Sequence, residues 1–254
     1  MIINIDDYNI NYIDVGTGEN ILILHGWGAN IKTLKPIIDL LKSKYRVLAL
    51  DYPGFGESDN LKKSFSVDDY VNIVISFLYK LNIKKVILIG HSYGGRIILK
   101  LNYRSDLEFE ILKNVLIDSA GIKNRLNMLI KLKICIYKIL KNILKILPLN
   151  LNTKYKFEQK LKSKFGSSDY KNANKYLQET LVKSVNEDLT YCLKKMKETL
   201  IIWGNKDNST PIWMAETMNK YINNSGLVVL NGGHYSYIDD YYTFAKVISS
   251  YFDL

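Results

Sequence analysis

The amino-acid sequence predicts an α/β fold: a mostly parallel sheet covered by helices on both faces and interrupted by one helical insertion. Three observations carry this. Short apolar runs at Ile21–Leu24, Tyr45–Leu50, Val86–Ile89, Val115–Ile117, Thr199–Trp203 and Leu227–Leu230 alternate with stretches of helical periodicity. That is the rhythm of strands buried on both faces and joined by crossover helices. The run Val86–Ile89 passes straight into Gly90-His91-Ser92-Tyr93-Gly94 and then into helical spacing at Ile97, Ile98 and Leu101, so a strand turns sharply into a helix near Gly94. From Gly121 to about residue 190 the alternation stops and lysines accumulate.

The elements follow in chain order. Ile2–Ile5 and Ile10–Val15 alternate apolar with polar around Asp6-Asp7-Tyr8-Asn9, an antiparallel hairpin at a sheet edge. Ile21–Leu24 runs into His25-Gly26-Trp27-Gly28, whose glycines let the loop present backbone N–H groups instead of pairing them. Leu34–Leu41 is a short amphipathic helix, and the strand Tyr45–Leu50 leads to the loop Asp51 to Ser58, a structured connection near the site. Val67–Leu81 is helical with Ser66 as its cap. After the insertion, Thr199–Trp203 ends in Gly204-Asn205-Lys206-Asp207, Pro211–Tyr221 is a helix, and Leu227–Leu230 ends in Asn231-Gly232-Gly233-His234. Tyr241–Phe252 closes the chain as a helix.

Composition bounds the reading. A chain of 254 residues with 47% apolar content buries one substantial core, so one domain with an excursion is expected: 1–121 and 191–254 as the core, 122–190 as the insertion. The net charge of +10 resides in one segment: residues 122–197 carry 18 Lys and Arg against 5 acids, the remainder 17 against 20. A charge so localised does not mark a nucleic-acid-binding protein. The absence of an eighteen-residue apolar run, and Asp6, Asp7 and Asp14 near the N-terminus, lead us to expect a cytoplasmic protein. Cys135 and Cys192 are read as free thiols, without disulfide or metal-ligand spacing.

Within the insertion, Asn124, Asn127, Lys131, Lys138, Lys141, Asn142 and Lys145 fall on one polar stripe at about 100° per residue, leaving a broad apolar face broken by Lys133. Three readings stay open. The helix packs on the domain and on helices at Tyr155–Leu161 and Tyr170–Val185, or it is a lid over an apolar pocket, or it meets an anionic membrane surface through its lysines.

Ser92 sits at the apex of the strand-to-helix turn, its hydroxyl directed above the sheet at a helix N-terminus that favours negative charge. Small neighbours at Gly90 and Gly94 are needed because side chains there would collide with the adjacent strand or helix. A nucleophilic serine needs a base and a carboxylate to orient it. His25 and His91 belong to the turns, so His234 is the base by elimination. Asp207 follows the penultimate strand, in a loop whose Gly204 and Asn205 let the carboxylate swing toward the last strand. Asp118, also at a strand end, is the rival acid and is read instead as an anchor for the insertion. The N–H groups of Trp27 and Tyr93 are the candidate oxyanion donors. Arg96 is read as a buried structural ion pair and left out of the site.

Together these residues resemble the α/β-hydrolase family over the whole chain apart from the insertion. Gly90-His91-Ser92-Tyr93-Gly94 looks like its nucleophile elbow, His25-Gly26-Trp27-Gly28 its oxyanion loop, and Asp51 to Ser58 its glycine-rich loop. Asp207 and His234 stand where its acid and base would be. One departure is Glu198-Thr199, where relatives often carry proline, which bears on packing and not on chemistry. The resemblance implies an eight-stranded, mostly parallel sheet, with residues 122–190 as a helical cap. It also implies a serine hydrolase acting through an acyl-enzyme on a small-molecule ester with an apolar part, without metal or organic cofactor. Thioester or carbon–carbon bond hydrolysis by the same triad, or a non-catalytic ligand-binding protein on this fold, are the alternatives. Dehalogenase and epoxide hydrolase chemistry is disfavoured, because those relatives carry aspartate where Ser92 stands.

Overall fold

Eight strands appear among the described residues of the computed structural model: β1 (Ile2–Ile5), β2 (Tyr8–Val15), β3 (Asn20–Leu24), β4 (Arg46–Leu50), β5 (Lys85–His91), β6 (Glu110–Ile117), β7 (Thr199–Gly204) and β8 (Ser225–Leu230). They form one sheet in the order β1-β2-β4-β3-β5-β6-β7-β8. The two pairings of β2, with β1 and with β4, are antiparallel, and every other pairing is parallel. The description covers residues 1–124, 128–148, 150, 152–157, 160, 170 and 173–254.

The β1–β2 hairpin turns in two residues, tighter than the four expected: Asp6 (φ 48°) and Asp7 (φ 67°) are both left-handed, and Ile5 pairs with Tyr8. Such a turn matches the twist of the strands it joins. The parallel strands are apolar on both faces because both are covered. Leu22, Leu24, Leu48, Leu88 and Leu116 face one core, while Ile21, Ile23, Val47, Ile89 and Val115 face the other.

Onto the first face pack α2 (Val67–Lys80), α3 (Tyr93–Tyr103) and α6 (Trp213–Tyr221); onto the second, α1 (Lys35–Leu41) and α8 (Tyr241–Phe252). The capping box that starts α2 has the Ser66 and Asp69 side chains exchanging bonds with each other's backbone. Between β6 and β7 lie α4 (Met128–Ile146) and α5 (Lys175–Asn186), and α7 (Ser236–Asp239) precedes α8. The expected helix over Tyr155–Leu161 is described only in part, as helical residues 152–157, and residues 158, 159 and 161 lie outside the description.

The arrangement decides where a site can form. From β3 the chain crosses to β4 on one side and later returns to β5 on the other, so the strand order switches at the carboxyl ends of β3 and β5. A crevice opens where neighbouring connections diverge in this way.

Candidate active site

The turn after β5 has the backbone that its glycines anticipate. Ser92 adopts φ 50° and ψ −109°, an unfavourable conformation for a residue with a side chain. It is held by its N–H bonded to the Ile117 carbonyl at 3.0 Å, and by its own carbonyl accepting from Gly95 and Ala120 at 3.0 and 2.9 Å. A Cβ on Gly94 would lie 2.2 Å from the Leu24 carbonyl oxygen, and one on Gly90 would lie 2.8 Å from the backbone of Gly94 and Gly95. The expected collisions are therefore with β3 on one side and α3 on the other.

Three side chains distant in sequence meet above this turn. His234 Nε2 is 2.8 Å from Ser92 Oγ, and His234 Nδ1 is 2.7 Å from Asp207 Oδ2. The polarity follows from the partners: an ionised carboxylate only accepts, so Nδ1 carries the proton and Nε2 is left to accept from the serine hydroxyl. Burial works against ionisation of Asp207, but the bonds from His234 and Thr210 outweigh it and its pKa is lowered.

Asp207 is held by a turn of its own making. Its Oδ1 accepts the N–H groups of Ser209 and Thr210 at 2.7 and 3.0 Å, and its Oδ2 accepts the Thr210 hydroxyl at 2.6 Å. Asp-Asn-Ser-Thr is a run whose short side chains bond to backbone two and three residues on, and that signal was available in the sequence. Thr210 was nonetheless missed. Gly204 serves here through close approach rather than looseness, since a Cβ would lie 2.2 Å from the Gly233 carbonyl. The loops after β7 and β8 thus run against each other, with Lys206 N–H bonded to the Gly232 carbonyl at 2.9 Å.

Asp118 is not an anchor for the insertion. Its carboxylate accepts the N–H of Gly204 at 2.8 Å and that of Ser236 at 2.9 Å, bracing the two loops that carry Asp207 and His234. Buried behind them, it lies out of the chain of bonds that links Ser92, His234 and Asp207. Burial pushes its pKa up to about 6 despite these bonds.

The other two histidines are structural. His25 donates from Nδ1 to the Gly26 carbonyl at 2.7 Å and accepts the Tyr52 N–H on Nε2 at 3.2 Å, joining the two loops beside the site. His91 donates from Nε2 to the His234 carbonyl at 2.7 Å, a role that sequence reasoning did not assign. Burial keeps both rings neutral, with pKa values pushed down to about 4 and about 3. The loop Asp51 to Ser58 is structured as expected: Asp51 Oδ1 accepts the Ile31 N–H and Oδ2 accepts the Glu57 N–H, at 2.8 and 2.9 Å.

Trp27 and Tyr93 flank the serine, their rings 5.3 Å apart, within an aromatic cluster that includes Phe55 and Tyr70. Tyr93 is the first residue of α3, so its N–H has no partner within the helix. The Tyr93 hydroxyl meets Ser184 Oγ of α5 at 3.1 Å, and Phe65 N–H bonds to Thr180 Oγ1 of the same helix at 2.8 Å. Among the described residues Arg96 does not form the expected ion pair: its guanidinium donates to the Glu187 backbone carbonyl at 3.0 Å, gripping the chain just after α5.

Comparison with known proteins agrees with this fold. Residues 19–119 match the family model described as the alpha/beta hydrolase fold. The chain is 25% identical over 235 residues to an uncharacterised hydrolase of Bacillus subtilis, YugF, covering 84% of this chain and 81% of that one. It is 39% identical over 90 residues to the pimeloyl-[acyl-carrier protein] methyl ester esterase of Shewanella woodyi, spanning 35% of this chain and about a third (32%) of that protein. Among solved structures, the esterase EaEST from Exiguobacterium antarcticum superimposes with a TM-score of 0.74 at 26% identity, covering 98% of this chain and 97% of that one. The chain has the alpha/beta hydrolase fold, and its similarity to that family's model covers residues 19–119. The relatives compared above are hydrolases and esterases by name.

Proposed function

We propose that the protein is a serine hydrolase in which Ser92, His234 and Asp207 form the catalytic triad, acting on carboxylic esters with an apolar acyl or alcohol part. The observation that carries this reading is the continuous chain of short contacts, Ser92 Oγ to His234 Nε2 at 2.8 Å and His234 Nδ1 to Asp207 Oδ2 at 2.7 Å. A protein that only bound a ligand would need neither the base nor the carboxylate.

His234 Nε2 takes the hydroxyl proton as Ser92 Oγ attacks the ester carbonyl, and Asp207 stabilises the imidazolium that results. The N–H groups of Trp27 and Tyr93 receive the oxyanion, each worth about 3 kcal/mol in the transition state. On collapse, the imidazolium returns its proton to the departing alkoxide, leaving an acyl-serine. Water then attacks that ester, its proton passing to His234 and on to Ser92 Oγ, and the carboxylic acid leaves. Every proton moves through one nitrogen, and no other group is needed to balance the steps.

We assign residues 122–190 to a cap beside the site. The contacts of α5 with Tyr93 and Phe65 support this, and Leu177 of α5 belongs to the same apolar cluster as Tyr93 and Phe55. The apolar and aromatic surroundings of Ser92 favour an ester with an apolar moiety over a charged substrate. We further propose a cytoplasmic enzyme, in keeping with two free cysteines. No helix among the described residues is long and apolar enough to cross a membrane.

A fluorophosphonate probe tests the reading directly. Labelling of the native chain that is abolished in Ser92→Ala and greatly slowed in His234→Ala supports it. A folded native chain that neither labels nor hydrolyses short and long acyl esters would overturn it.

A further inference from the structure

Among the described residues, α4 leaves an apolar surface facing water. Along α4, Leu132, Ile136, Ile139, Ile143 and Ile146 recur at alternating spacings of four and three residues, so they line one seam within about 80° of the helix circumference. The seam runs about 21 Å along the helix at 1.5 Å per residue. All five side chains are exposed: Leu132 by 56%, Ile139 by 52%, Ile143 by 47% and Ile146 by 84%, with Ile136 close behind. A neighbouring edge about 110° round the helix, at Tyr137, Leu140 and Leu144, is half-buried. The helix therefore has two apolar faces, one half-covered by the protein and one open, and an open row of five branched aliphatic side chains marks an interaction surface.

Charge selects the occupant. Between Asp118 and Glu158 the chain has nine basic residues and no acid. A second copy docked through this face would set two acid-free, positively charged helices side by side. An anionic bilayer offers both what the seam lacks and what the charge seeks, an apolar interior beneath a negative surface. Lys133, exposed and about a quarter-turn from the seam, is placed to reach headgroups while the aliphatic row enters the acyl boundary. Exposed Tyr155, Lys156 and Phe157 in the same acid-free stretch are residue types favoured at that interface. We propose that α4 docks flat on anionic lipid surfaces through the seam Leu132 to Ile146. The inference rests on this surface and stands apart from the hydrolase reading.

Co-sedimentation of the full chain with vesicles tests it, comparing phosphatidylcholine alone with an equal mixture of phosphatidylcholine and phosphatidylglycerol, at low and high salt. The expected result is binding to the mixed vesicles, weakened at least about tenfold by high salt and by Ile139→Glu/Ile143→Glu, with the far-ultraviolet spectrum of that variant unchanged. If the double variant does not fold, Lys133→Glu/Lys156→Glu at exposed positions is expected to show the same loss. Equal binding to both vesicle types, binding to neither, or a native dimer that the seam substitutions convert to monomer would overturn the proposal. A chain inert toward esters that still binds mixed vesicles would leave it standing.

Discussion

The Nε2–H of His91 donates to the main-chain carbonyl of His234 at 2.7 Å, so one histidine holds the loop that carries the other. The His91 ring is buried against Tyr235, with centroids 4.8 Å apart. Its Nδ1 has no hydrogen-bond partner among the described residues. His91→Phe keeps the packing and removes the donor. We expect kcat on a soluble ester to fall about tenfold with KM nearly unchanged, and stability to fall by about 1–2 kcal/mol, read from steady-state kinetics and urea unfolding.

Thr210 supplies Asp207 with a hydroxyl bond at 2.6 Å that no other described side chain replaces. Bonds to charged groups are worth about 1.5–3 kcal/mol, so Thr210→Val should lower kcat/KM by about tenfold or more. Thr210→Ser should restore most of it. Equal activity in all three chains would show that the two backbone bonds to Asp207 suffice.

The turn at Ser92 stores strain that glycine would release. Ser92→Gly should be more stable than Ser92→Ala by about 1 kcal/mol, since only the latter keeps a Cβ at φ 50°. Gly94→Ala should cost about 3 kcal/mol or more, its methyl forced against the Leu24 carbonyl. Midpoints in urea measure both.

Stability should depend on pH with a definite sign. His25 and His91 have pKa values near 4 and 3 in the folded chain against an ordinary 6.5, so below 6.5 the unfolded state binds more protons and each makes stability rise with pH. Asp118 acts in the opposite direction. Raised from 3.8 to about 6, it keeps a proton that the unfolded chain has released, so stability falls with rising pH in that window. Between about pH 4 and 6 these three groups together take up near one proton on unfolding, a contribution of about 1.4 kcal/mol per pH unit. His91→Phe should lower that slope by about 1.4 kcal/mol per pH unit, read from urea unfolding across this range.

Much of this was legible along the chain, because burial on both faces writes itself as continuous apolar runs and a strained strand-to-helix turn writes itself as glycines around serine. The six mutually parallel strands, the helices between them and the elbow at Ser92 came from that local record, and so did the candidates Asp207 and His234, each in a loop after a strand. Boundaries moved by a few residues where backbone pairing outlasts the apolar run, as in β5, which extends from Val86–Ile89 to Lys85–His91.

Tertiary structure alone separated residues of the same type. Asp118 and Asp207 both follow strands, but one braces backbone from behind while the other faces His234. His25, His91 and His234 all stand at or after strand ends too, yet only one has its ring between a hydroxyl and a carboxylate. The reason is physical: which atoms a side chain meets depends on loops 27 to 142 residues apart being packed together. The amino-acid order specifies which groups stand at the ends of the strands, and the packing of those ends decides which of them share a proton.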